Sequence, residues 1–167
     1  MKYSKQETLA HTVSVNNPGC LTIFNNLIAA EGYDGVGKVF DDDVIVLDMD
    51  CVEMNNARND GNRDRNSSMD CTFAIKDEVN HNVEMLLVEL RFNYQKLKNL
   101  KQQKLLDKVS GSTLALGTSV PISPTYIFIF KTNLKAQAKS WFFRKFPTIP
   151  RNYVVMDILD LKASYFV

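Results

Sequence analysis

Glu89 and Arg91 lie two residues apart in LLVELRFN, Leu86 to Asn93, inside a run apolar enough to be a buried strand. Ionised groups in such a setting are costly unless they pair with each other, hold a metal ion or open to a cleft. Side chains alternate along a strand, so Met85, Leu87, Glu89 and Arg91 share one face, while the apolar Leu86, Val88, Leu90 and Phe92 share the other. In MDCTFAI, residues 69 to 75, the same alternation puts Asp70, Thr72 and Ala74 on one side. If the two segments pair through the turn at 76–82, Asp70 stands beside Glu89 and Arg91. Carboxylates brought this close repel, which raises the pKa of one of them unless a cation joins the pair. Mg²⁺ suits such a place, since it binds through one or two carboxylates and several waters. A positive side chain next to the ion could orient an attacking water or stabilise charge developing on a phosphoryl group. The same three residues also make sense without chemistry. Arg91 then pairs with Glu89 and takes Asp70 as a second partner, and a guanidinium supplies the charge that a metal would have brought.

The surrounding pattern says what would position them. Leu21, Phe24, Leu27 and Ile28 recur at helical spacing and Gly32 stops the run. DVIVLDMDCVEM, 43 to 54, reads as a strand, and the polar stretch from Asn55 to Ser68, with its Asp60-Gly61 turn signal, as a long hairpin loop. Strands follow at 69–75 and 83–92. Leu97, Leu100, Leu105 and Val109 then predict a helix from Tyr94 to Val109, and SGSTLALGTSVPISP a loop with a short strand at Thr113–Leu116. TYIFIF, 125 to 130, is β-branched and aromatic enough for a central strand. NLKAQAKSWFFRKF predicts an amphipathic helix and YVVMDILDL, 153 to 161, a last strand. The expected order is α-β-β-β-α-β-α-β in one domain over residues 1–167. The fold class is α/β, a three-layer mixed sheet flanked by helices.

An acidic residue ending one strand, a short hairpin, an apolar strand ending in acid-x-base and then a helix resemble the PD-(D/E)xK nuclease superfamily, the restriction-endonuclease-like fold. The resemblance covers an αβββαβ core from about residue 21 to 130, with a helix and strand at 134–161 as additions. It implies Mg²⁺ held by Asp70 and Glu89, with Arg91 in the place of the family's lysine, and it puts the family's first-helix glutamate at Glu31. Arginine is not interchangeable with lysine: it keeps its proton and presents a planar fork. Arg91 therefore suits phosphate stabilisation rather than water activation. Two functions follow from the resemblance. In one, the chain is a degenerate, non-catalytic relative that binds a macromolecular partner, such as an immunity or accessory protein. In the other, it is a Mg²⁺-dependent nuclease acting on DNA or RNA through Asp70, Glu89 and Arg91.

Composition narrows the remaining classes. With 45% hydrophobic and 23% charged residues the 167-residue chain has an ordinary globular balance, and no apolar run approaches the roughly 20 residues of a membrane span. The N-terminal segment is polar and lacks the apolar core of a secretory signal. Three cysteines without C-x-x-C spacing and two histidines argue against structural zinc, and predict reduced, buried thiols in a cytoplasmic protein. Net charge is +1, but acidic residues crowd the first third, and none occurs between Asp107 and Asp157, where Lys108, Lys131, Lys135, Lys139, Arg144, Lys145 and Arg151 fall. Either the two halves neutralise each other or the basic half meets an anionic partner, nucleic acid included. The lysine-rich helix is expected to be a solvated outer face, and Trp141 and Phe142 to be core.

Overall fold

The computed structural model describes all 167 residues. Its centre is a seven-stranded mixed sheet in the order β2-β3-β4-β5-β6-β7, where β2 is Leu21–Ile23, β3 Ile45–Asp48, β4 Cys71–Lys76, β5 Val83–Arg91, β6 Tyr126–Phe130 and β7 Tyr153–Met156. A short β1, Lys2–Tyr3, pairs with the far end of β4, where β3 has stopped. The strands from β2 to β5 are antiparallel, and β5, β6 and β7 are parallel. Parallel neighbours need a crossover, and here two helices supply them: α5, Gln102–Leu116, between β5 and β6, and α6, Thr132–Arg144, between β6 and β7.

The alternation in β5 builds the two outer layers. Met85 and Leu87 point into one core with Val52 of α4 (Met49–Asn59), Leu105 and Val109 of α5, and Leu134, Ala138 and Phe142 of α6. Leu86, Val88 and Leu90 point into the other, with Phe24, Leu27 and Ile28 of α3 (Phe24–Ala30) and Ile158 and Leu161 of α7 (Ile158–Tyr165). Helices thus cover both faces of an open sheet, the three-layer α/β arrangement expected from the sequence. The N-terminal helices α1, Lys5–Ala10, and α2, Thr12–Asn16, complete the chain, and no helix is long and apolar enough to cross a membrane.

Several expected boundaries moved, each for a local reason. The strand predicted at 43–54 ends at Asp48, whose carboxylate accepts the Cys51 N–H at 2.9 Å and starts α4. That helix consumes the first part of the predicted hairpin loop. The strand predicted at 153–161 stops at Met156, because Asp157 and Asp160 form a reciprocal capping box that begins α7. The helix predicted from Tyr94 instead starts at Gln102 after a 3₁₀ turn at Leu97–Asn99, and it runs through Gly111 to Leu116. No strand forms at 113–116. A Cβ built on Gly111 would come within 1.9 Å of the Ser67 carbonyl oxygen, so a residue that reads as a loop signal is the contact that lets α5 lie flat on the 66–69 segment. The thiol expectation also needs correction: Cys20 and Cys51 form a disulfide, and only Cys71 is free, buried as a small hydrophobe.

Candidate functional site

Asp70, Glu89 and Arg91 do come together. Cys71 pairs with Val88 across the antiparallel β4–β5 ladder, so Asp70, just before β4, lies next to Glu89. The Asp70 carboxylate also accepts the Leu90 backbone N–H at 2.5 Å, which ties it to β5. All three residues are buried, at 6%, 1% and 6% exposure. Arg91 Nε lies 2.9 Å from Glu89 Oε1. The contact is ionic rather than a directed hydrogen bond, because Nε and Nη2 have no hydrogen-bond partner. Nη1 donates to the Tyr94 hydroxyl at 3.0 Å, and the guanidinium carbon stands 5.1 Å from the Tyr94 ring centroid.

The residue that completes the group is Lys108 of α5. Its ammonium is 2.9 Å from Glu89 and 3.4 Å from Asp70, bridging the two carboxylates. The other lysines of this stretch, Lys96, Lys98, Lys101 and Lys104, are exposed as expected, and Lys108 is the one that turns inward. Its placement follows from the docking of α5. Gly111 permits the close approach to Ser67, and the buried Ser112 hydroxyl accepts the Met69 N–H at 2.7 Å. Lys108 lies one helical turn before these contacts, on the side that faces the sheet. In the sequence its i, i+3 and i+4 relation to Gly111 and Ser112 was visible, but nothing there marked those two residues as part of a helix.

Burial sets the electrostatics. It pushes the Glu89 carboxyl up to about 8; repulsion from Asp70 adds to this, and Arg91 and Lys108 only partly offset it. Asp70 is likewise raised by burial, against the pull of Lys108 and the Leu90 N–H. Burial would lower Lys108, but Glu89 and Asp70 outweigh it and hold the ammonium above its ordinary value. Glu31 also belongs to this end of the sheet: it is raised by burial and then by the charges of Asp70 and Asp50. Beside it lies a polar cleft of about 470 Å³ lined by Asp50, Glu53, Asp64 and Ser68, among others. There the Ser68 hydroxyl donates to Asp50, while Glu53 is held by Arg63 at 2.7 Å and by the Asn66 N–H at 2.7 Å.

The nuclease resemblance implies a magnesium ion between Asp70 and Glu89, and it is there that the Lys108 ammonium stands. No group of three or more His, Cys, Asp or Glu side chains is arranged to hold a metal, and the bridging position between the two carboxylates belongs to an ammonium. The arrangement can neutralise two buried acids, fix α5 to the β4–β5 hairpin and leave two guanidinium nitrogens, Nε and Nη2, without a hydrogen-bond partner. Compared with known proteins, the chain matches no family model, no curated protein and no solved structure, so the geometry carries the functional reading.

Proposed function

We propose that the protein is a non-catalytic member of a nuclease-like scaffold that acts by binding a macromolecular partner. The observation that carries this reading is the Lys108 ammonium bridging Asp70 and Glu89. A carboxylate pair that already has a resident cation needs no divalent ion to be stable. It also lacks an open coordination position from which a water could be activated. The antiparallel β4–β5 hairpin and the β5-α5-β6 crossover support the scaffold assignment, since they bring an acid, an acid-x-base pair and a helical lysine to one end of the sheet.

The test is incubation of supercoiled plasmid, single-stranded DNA and RNA with the full chain and Mg²⁺ or Mn²⁺. All three substrates should stay intact. Metal-dependent cleavage that disappears in Asp70→Asn and Glu89→Gln would overturn the reading in favour of a phosphodiesterase.

A further inference from the structure

A second charged surface lies at the opposite end of the parallel strands. Glu89 and Arg91 are near the C-terminal end of β5, opposite Phe128 and Phe130 of β6, whereas the N-terminal end of β6 pairs Tyr126 with Tyr153. At that end the last turn of α6 and the segment leading into β7 carry Phe143 and Phe146, 67% and 50% exposed. Large aromatics this open are unusual on a small domain and mark contact surfaces. Arg151 is stacked between them, its guanidinium carbon 4.3 Å from each ring centroid. Lys145 similarly lies 5.6 Å from the centroid of Trp141.

Unpaired charge from the basic half of the chain falls at the same end. Of the seven cations between Lys108 and Arg151, the first three are paired: Lys108 with Asp70 and Glu89, Lys131 with Asp34, and Lys135 with Asp157 and Asp160. Lys139, Arg144, Lys145 and Arg151 make no ion pair, and no acidic residue occurs between Asp107 and Asp157. An apolar cleft of about 260 Å³ runs from Phe143 to Tyr153, with Lys139 and Arg151 on its border.

We propose that this surface binds single-stranded nucleic acid, with bases stacking on Phe143 and Phe146 and phosphates held by Lys139 and Arg151, which border the cleft beside them. Open rings interleaved with unpaired cations are the elements of sequence-tolerant single-strand recognition, because every base offers a π-face and every linkage a negative charge. A second copy of the chain does not suit the patch, since face-to-face contact would set unpaired Lys139 and Arg151 against the same cations. An acidic peptide would meet the charge but leave both rings unused. The proposal rests on the binding reading above and names the partner that reading leaves open, at a surface separate from Lys108 and its carboxylates.

The experiment is fluorescence anisotropy of a fluorescein-labelled oligothymidylate with the full chain in EDTA, which silences any metal chemistry. Binding should be saturable, and log K against log salt should fall with a slope of roughly −1 to −2, about 0.7 for each phosphate neutralised. Phe143→Ala with Phe146→Ala should weaken it by about thirtyfold or more at unchanged thermal midpoint, as both side chains are exposed. Poly-L-glutamate should compete poorly. Absence of oligothymidylate binding would overturn the proposal. So would binding that the aromatic pair does not affect and polyglutamate displaces equally well, which would mark a generic polyanion patch. Either failure leaves the non-catalytic reading to its own cleavage assay.

Discussion

The charge cluster makes its strongest predictions through Glu89 and Lys108. In the unfolded chain Glu89 loses its proton near 4.5, but in the folded protein it keeps it up to about 8. The folded state therefore binds more protons across that window, and its stability falls as pH rises from about 4.5 to about 8, then levels off. The shift corresponds to on the order of 5 kcal/mol if Glu89 titrates alone, and its coupling to Asp70 spreads this over both acids. Urea midpoints for wild type should decline over this range, and Glu89→Gln should flatten the profile; an equally steep decline in the variant would contradict the assignment. Lys108→Met keeps an apolar stem but strips the bridge. It should lose about 3 kcal/mol above the Glu89 transition and clearly less at acid pH, where one carboxylate is already neutral. The three residues of this cluster that strand alternation can pair, Asp70, Glu89 and Arg91, were legible in the sequence. Lys108 was not, because its direction depends on how a helix docks rather than on any local pattern.

Among the elements, α5 matters most for the site, and its seating is testable at Gly111. An added methyl must displace the Ser67 backbone, so Gly111→Ala should cost about 1–3 kcal/mol in urea unfolding despite the better helix propensity of alanine. A neutral or stabilising result would show that the helix does not lie against the 66–69 segment. The Cys20–Cys51 disulfide ties the turn before β2 to the first turn of α4, closing a loop with a sequence separation of 31. By chain entropy, Cys51→Ser should lower stability by about 3–4 kcal/mol under oxidising conditions and change little once wild type is reduced. Strands with strong β-branched or aromatic character, β4, β5 and β6, were predicted almost to the residue. Errors gathered where a strand turns directly into a helix. At Asp48 and Asp157 a single capping carboxylate changes the period, and an apolar run carries on past it. In α5 a Gly-Ser pair was read as a break although tertiary packing requires it.

At the scale of the molecule, the uneven charge of the sequence resolves into local neutralisation plus cations left without an acidic partner. Part of the acidic first third is satisfied nearby, as in the Lys5–Asp43 and Lys38–Asp42 pairs, and Lys131 crosses from the basic half to meet Asp34. The cations that stay unpaired include the exposed Lys96, Lys98, Lys101 and Lys104 and the group near Phe143, Phe146 and Arg151. The two ends of the sheet thus differ in kind: one holds a buried group that answers its own charges, the other an exposed aromatic and cationic surface. The central claim is that Lys108 already supplies the counter-charge a divalent ion would bring. Calorimetric titration of the wild-type chain with Mg²⁺ and with Mn²⁺ tests it most directly. Neither ion should give saturable heat. Saturable binding that is lost in both Asp70→Ala and Glu89→Ala would contradict it, and would make Lys108 a neighbour of a metal centre instead of its replacement.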